Sequence, residues 1–392
     1  MILLLGALVP VPSCAGGGSA PDVTSLGVLW QSAGATDATL WSVRWSPDGG
    51  MLAATYFDNT TRVFNSTTGN MVAKIEAQAQ PAGRCDGFTP AGRYPLRVCA
   101  WSPDGKLLAM GGDDRSILIY NVGTWDLART LKGHRASVLT LDFSPDGRYL
   151  ASGSGTDKVE MNNVPDENVV RVWDVANGTL FKDLGTHKDG VMEVKWSPDG
   201  RTLVSVSDDK SIKVWNAENW TLAGELRGHT LGVLCADFSP NGLMLVTGSR
   251  DYTVRLWDLS GLKPAGKWDA PNCVRSVDWH PGGELIAVSG VDEVMLTVRQ
   301  ASDGVVLRTF TESGKTRSAV MSSRWSPDGK QLASGAGKEA TLRVYAFGLS
   351  NPAPPPAIPS WLPGLVLYGI FSWTGVLGIG FWGWRRMERD RR

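Results

Sequence analysis

The sequence predicts an all-β protein of seven repeated four-stranded units over residues 27–348, followed by one apolar transmembrane α-helix over 361–384. Three observations carry this. An aromatic residue followed by Ser-Pro-Asp-Gly, or a close variant, occurs seven times, starting at Trp45, Trp101, Phe143, Trp196, Phe238, Trp279 and Trp325. The steps between successive copies are 56, 42, 53, 42, 41 and 46 residues, a period that marks a repeat architecture. From Ala346 to Trp384 there is no charged residue.

Composition excludes several functions. Formal net charge is 0, so nothing in the balance supports holding a phosphate backbone, and nucleic acid is not an expected partner. The five Cys form no Cys-x-x-Cys pair and only four His are present, so neither a metal nor a cofactor is expected. Cys99 and Cys235 fall in strands and read as buried thiols. Cys85 and Cys273 fall in loops, where an oxidising compartment would let them pair.

At the N-terminus, residues 1–13 are apolar and precede Cys14 and the run AGGGSA. They resemble a bacterial lipoprotein export signal, with Val11-Pro12-Ser13-Cys14 as a loose lipobox and Cys14 as the lipidated residue. The basic start of such a signal is missing and Pro12 is unusual before the Ser. A disordered apolar N-terminus over 1–26 is the alternative.

Each repeat then reads as strands and turns. Alternating apolar residues lead to the aromatic, as in Leu40-x-x-Val43-x-Trp45 and Val191-x-x-Val194-x-Trp196. Ser-Pro-Asp-Gly is a turn, with Pro fixing φ and Gly taking a positive φ. An apolar run such as LLAMGG or TLVSVS makes a second strand. A third, β-branched strand ends in an aromatic and Asp or Asn: VFN (63–65), IYN (119–121), VWD (172–174), VWN (214–216) and LWD (256–258). The last two repeats degrade this to VRQ (298–300) and VYA (344–346).

The two long steps place insertions at 78–94, rich in Pro and Gly, and at 155–168. The acids Asp157, Glu160, Asp166 and Glu167 in the second do not match a calcium loop and read as solvated. Without the insertions a repeat averages about 42 residues, the length of a four-stranded blade.

Together these features resemble the WD-repeat (Trp-Asp repeat) family over nearly all of 27–348. Gly133-His134 and Gly228-His229 open the third and fifth repeats, His187 stands in the same place in the fourth, and Asp209 and Asp251 precede third strands. The resemblance implies a seven-bladed β-propeller, whose N-terminal segment 27–34 supplies the outermost strand of the last blade beside 341–347. It also implies that His187, Ser205, Asp209 and Trp215, and likewise His229, Thr247, Asp251 and Trp257, are structural tetrads joined by buried hydrogen bonds. Their residue types match a nucleophilic triad. A catalytic set is not expected twice at one repeat position, so no catalytic residue is assigned. Gly314-Lys315-Thr316 fails as a phosphate loop because Thr309 stands where its first Gly belongs.

In this family both insertions would decorate one rim, at neighbouring blades 2 and 3. Family binding positions near the start of the first strands hold Trp41, Arg97, Leu139, Met192, Leu234, Arg275 and Met321. With Asp208 and Arg250 these are the candidate partner contacts, because large apolar and Arg residues suit protein hot spots. Arg44, Asp142, Lys195, Asp237, Asp278 and Arg324 precede the turns and are expected to neutralise one another around a central channel.

After the repeats, a Pro-rich linker (349–360) leads to 361–384. As a helix this segment spans roughly 36 Å, enough for a ~30 Å hydrocarbon core. Trp361 lies at one end and Trp382 with Trp384 at the other. The tail 385–392 carries five Arg against two acids and is expected to stay cytoplasmic, with the propeller outside. A tail-anchored protein with a cytosolic propeller is the competing topology. The expected function is a non-enzymatic membrane-anchored scaffold whose partners are subunits of a membrane protein complex. The alternative is an exported propeller that binds or processes a small ligand in its channel.

Overall fold

The computed structural model describes residues 22–32, 39–77, 95–155, 167–291, 296–310, 319–336 and 340–350. The chain divides into a repeat body, Val23–Gly348, and a unit of its two ends, Met1–Asp22 with Leu349–Arg392. Cys14, Cys85, the insertion 78–94, most of the second insertion, the linker, the apolar segment 361–384 and the Arg-rich tail lie outside the described residues. Among the described residues no helix is long and apolar enough to cross a membrane.

The body holds seven four-stranded sheets, each a meander in chain order. Their first strands are Leu40–Trp45, Leu96–Trp101, Ser137–Phe143, Val191–Trp196, Val233–Phe238, Val274–Trp279 and Val320–Trp325. Each packs against the first strand of the next sheet, and the seventh packs against the first, so the ring is closed. Apolar cores lie between neighbouring blades. Leu40 and Val43 of blade 1, for instance, pack with Leu342 and Val344 of blade 7.

Ring closure is made by the two ends of the body. The outer strand of blade 7 is Asp22–Gln31, beside Thr341–Ser350. It begins at Asp22, before the expected residue 27. Ser32 N–H donates to Leu342 O at 2.9 Å. Trp30 packs on Phe64 of blade 1, and its indole N–H donates to Ser66 O at 2.7 Å.

The repeated turn has local and global roles. In blade 1, Ser46 Oγ donates to Asp48 and accepts Met51 N–H at 2.8 Å, while Gly49 takes φ 71°. The same bonds recur from Ser102, Ser144, Ser197, Ser239 and Ser326. Each turn also touches the one before it. A Cβ on Gly147 would lie 3.6 Å from Pro103, and one on Gly200 would lie 3.6 Å from Pro145. The turns therefore interlock around one end of the ring, here called the turn face. In blade 6, His280 replaces the Ser, and its Nε2 lies 3.1 Å from Gly329 O of blade 7.

The first strands pair on one side only, and neighbours satisfy the other edge. Thr140 Oγ1 accepts Val194 N–H at 3.0 Å, and Glu193 accepts Ala236 N–H at 2.9 Å. Asp142, Asp237 and Asp278 accept the N–H groups of Trp196, Trp279 and Trp325 in the following blades at 2.8, 2.7 and 2.6 Å.

Replacing Trp30 by Ala is expected to lower the unfolding free energy by about 3 kcal/mol, through the lost ring packing. Trp30→Phe should cost only about 1 kcal/mol, the lost hydrogen bond. Urea denaturation reads both. Equal losses would show that the ring contact does not hold the closure.

Candidate interaction face and channel

The tetrads are built by register. In blade 5, Leu245 pairs with Trp257 and Thr247 with Arg255, which sets the indole and the hydroxyl on one side of the sheet. Trp257 Nε1–H donates to Thr247 Oγ1 at 2.9 Å, Thr247 bonds His229 Nε2 at 2.9 Å, and His229 Nδ1 meets Asp251 at 3.0 Å. Blade 4 repeats the chain: Trp215 to Ser205 at 3.0 Å, Ser205 to His187 at 2.8 Å, and His187 to Asp209 at 3.1 Å. Burial alone would raise the Asp251 carboxyl, but bonds from Thr253, Thr230 N–H and His229 hold it down at about 2. Burial keeps the His229 imidazole below its usual range against the pull of Asp251. Ser205 and Thr247 are fully buried and each already accepts an indole N–H, so neither oxygen can attack an external substrate.

A third network, in blade 3, escaped the sequence reading. Trp173 donates to Ser152 at 2.8 Å, and Ser152 bonds His134 Nε2 at 2.7 Å. Gly133-His134 was the available signal, but the insertion separates Ser152 from Trp173 and hides the spacing. Glu167 takes the place of the Asp: it accepts Arg135 N–H and pairs with Arg171 at 2.6 Å. This corrects the expectation that Glu167 is solvated. Gly155 is likewise still within a strand, Tyr149–Gly155, so the insertion is shorter than 155–168 at both ends. Arg171, a donor only, faces His134 Nδ1 at 3.4 Å, which leaves Nε2–H to donate to Ser152. Burial, then the Arg171 charge, pushes His134 down to about 3.

Antiparallel order puts the loops joining second to third strands, and fourth to next first strands, at the end opposite the turns. Both insertions leave from this open face. Several candidate contacts there are tied down within the chain. Arg97 makes two bonds to Asp113, at 2.6 and 3.0 Å, with its guanidinium 5.1 Å from the Trp41 ring. Arg250 makes two bonds to Asp208, at 3.0 and 3.1 Å, which joins blades 4 and 5. Trp41, Leu139, Met192, Arg275 and Met321 are half-buried, and Leu234 is buried. Two residues missed in the sequence stand out on blade 5. Leu231 is 48% and Tyr252 55% exposed. Ser249 bonds the backbone of both, and Tyr252 holds φ 64°, the left-handed turn conformation that Asn59, Arg115 and Lys210 hold at the same place in other blades. Only the turn position preceding the third strand could have signalled it.

The channel carries paired charges. Lys195 lies 3.5 Å from Asp237, and Arg324 lies 3.6 Å from Asp278. Glu193, unnoticed in the sequence, reaches across the ring from blade 4 to Arg324 at 3.1 Å and Arg44 at 3.5 Å. Burial raises the Asp278 carboxyl, against the attraction of Arg324. Below this strut a cavity of about 300 Å³ opens on the turn face, lined by Arg44, Trp101, Asp142, Lys195, Asp278 and Arg324. Cys99 and Cys235 are buried and Cys273 half-buried, all with free thiols. Among the described residues, no His, Cys, Asp and Glu group could hold a metal ion.

Comparison with known proteins places these features. The family described as "WD domain, G-beta repeat" matches residues 90–121, 125–174, 178–216, 220–258, 262–295 and 304–345. The family described as "Anaphase-promoting complex subunit 4 WD40 domain" matches residues 24–85. One subunit of chromatin assembly factor 1 from Gallus gallus is 28% identical over 131 residues, covering 28% of this chain and 21% of that protein. Transcription initiation factor TFIID subunit 5 of Caenorhabditis elegans is 26% identical over 164 residues, covering 42% and 23%. COMPASS component SWD3 of Saccharomyces cerevisiae is 33% identical over 100 residues, covering 26% and 28%. The match thus spans 21% to 28% of the length of these relatives.

Two outcomes follow from this geometry. Glu193→Gln leaves two buried guanidinium groups without their shared carboxylate and is expected to cost about 3 kcal/mol in urea denaturation. A loss below about 1 kcal/mol would show that the strut is idle. An unfolded His takes a proton near pH 6.5, whereas folded His134 stays neutral down to about 3. Stability present above pH 6.5 is therefore lost as pH falls towards 3, at up to about 1.4 kcal/mol per pH unit for this group. His134→Gln should flatten the melting midpoint between pH 6.5 and 4; an unchanged slope would exclude His134 as the cause.

Proposed function

The chain belongs to the WD40 repeat family, and on that premise we propose that it is a non-enzymatic scaffold that binds another protein through its open face. The observation that carries this is the exposed Tyr252 beside Leu231 and the Arg250–Asp208 pair. Aromatic and Arg residues of this kind are the usual anchors of protein interfaces. Two of the similar proteins carry "subunit" in their names and a third "component", which supports a part in a larger assembly.

The finer reading is a membrane-anchored member, in which 361–384 spans the bilayer and 385–392 stays cytoplasmic. Its partner is then a subunit of a membrane complex, met by the rim that carries 78–94 and the insertion in blade 3. The charge-free stretch and the Arg tail support this reading. A second reading has the turn-face cavity take a small ligand, since about 300 Å³ is within the range of ligand sites. It ranks lower because the lining charges include pairs already neutralised within the chain.

Tyr252→Ala combined with Leu231→Ser should abolish co-purification of the partner in mild detergent and leave the melting midpoint within about 3 °C. Removing 78–94 and 156–166, while sparing Glu167, should do the same. Unchanged co-purifying proteins in both variants would exclude the open face. Protease added to intact cells tests the topology: a propeller left uncut would place it inside.

A further inference from the structure

Both ends of the repeat body lie on the side of the turns. The strand Thr341–Ser350 runs from the open face towards them. Leu342 pairs with Gly335, and Ala346 pairs with Gln331, the first residue after the seventh turn. Phe347 N–H donates to Lys330 O at 2.7 Å, within that turn. Asp22–Gln31 lies beside this strand. Ser32, just past its end, bonds Leu342 near the open face, so Asp22 is the end on the turn side. Each of the two strands has ten residues, against five to eight for the third and fourth strands of other blades. The chain therefore enters and leaves the body on the turn side. The ten residues 351–360, five of them Pro, reach at most about 30 Å before the apolar stretch at 361.

The same side carries most of the exposed apolar surface. Met71, Leu127, Leu180, Leu222 and Val306 share one register position, each opposite the last residue but one of a third strand. They are between 45% and 55% exposed. Of the fourteen large apolar side chains exposed among the described residues, eleven lie on the turn side; Phe57, Leu231 and Tyr252 lie on the open side. Four of the turns place an Asp two residues before a Lys or Arg, as in Asp104 with Lys106 and Asp328 with Lys330, 3.6 and 3.8 Å apart. The face is thus a ring of adjacent opposite charges within an apolar rim. A lipid surface has the same make-up, paired headgroup charges over an apolar boundary. It is also uniform in its plane, so near-equal blades meet it equally.

We propose that the turn face rests on a bilayer of zwitterionic lipid, with the outer-strand apolar residues at the headgroup boundary and the open face directed away from it. The orientation rests on the reading of 361–384 as a membrane span. It puts the protein-binding face where a water-exposed domain of the partner reaches it.

The test reconstitutes the full chain, with Cys14, Cys85 and Cys273 changed to Ser, in phosphatidylcholine vesicles. A fluorophore is attached at Asn177→Cys or Ser302→Cys, on the turn side of blades 3 and 6, or at Lys210→Cys on the open face. Lipid carrying a nitroxide on its headgroup should quench the first two by about half and the third by less than about a tenth. Equal quenching at all three positions, or quenching at only one of the turn-side pair, overturns the proposal. So does a turn-side label that is shielded from aqueous iodide yet not quenched by the lipid, because a second copy or the apolar segment then covers the rim. Replacing Leu127, Leu180 and Leu222 by Gln should reduce the turn-side quenching about twofold and keep the chain in the membrane; unchanged quenching rules out contact by the rim. Adding about a fifth of anionic lipid should leave the quenching unchanged, and a twofold rise would overturn the match to zwitterionic lipid. Carbonate extraction separates the two readings. A chain washed off the vesicles overturns the membrane span and the orientation together, whereas a retained chain with the wrong quenching pattern overturns the orientation alone.

Discussion

Everything in this propeller depends on satisfying the free edges of its seven first strands. A strand paired on one side presents unpaired N–H groups on the other, and water has little access to them between close-packed blades. The neighbouring blade supplies the acceptors: Thr140 for Val194, Glu193 for Ala236, and the three Asp side chains for the turn aromatics. Those carboxylates need cations in turn, which Lys195, Arg324 and Arg44 provide. The ionisable residues of the channel are therefore largely spent on closure. Chemistry on a substrate would have to break bonds that hold the ring.

The two ends of the ring then take different roles. On the turn face, six of the turn Gly residues sit against the Pro of the preceding turn and Gly329 sits against His280, so a change in one turn is felt by its neighbour. That face repeats with little variation and leaves little freedom for recognition. The open face carries loops of unequal length and residues that differ from blade to blade. It also carries the exposed Tyr252, which stands at the left-handed turn position held in other blades by Asn59, Arg115, Lys210 and Ala340.

Legibility followed the range of the interaction. The turns are local, their hydrogen bonds closing within five residues, so each of the seven could be read from its own phrase. The blade 4 and 5 networks were also readable, because the hydroxyl precedes the indole by a constant ten residues. In blade 3 the same pair is 21 residues apart and the pattern vanished. Glu193 was invisible for a different reason. It meets Arg324 across the ring at a sequence distance of 131 residues, and no local pattern encodes which channel residues face each other. The pairing of Arg97 with Asp113 and of Arg250 with Asp208 was hidden likewise. Arg97, Arg250 and Asp208 read as partner contacts until geometry showed them bonded within the chain.

A ring of near-equal blades has no preferred direction, so a partner can recognise only what breaks the equality. Repeated residues cannot serve, because they present the same chemistry at several angles. The departures are few and specific. Insertions mark blades 2 and 3, exposed apolar residues mark the open end of blade 5, and blade 6 replaces three tetrad members with Ala270, Val288 and Arg299. Blades 5 and 6 are adjacent, and the Tyr252 carbonyl accepts the Ala270 N–H at 2.8 Å. The Tyr252 turn and the altered blade 6 are thus one hydrogen bond apart. The two departures therefore adjoin on the open face.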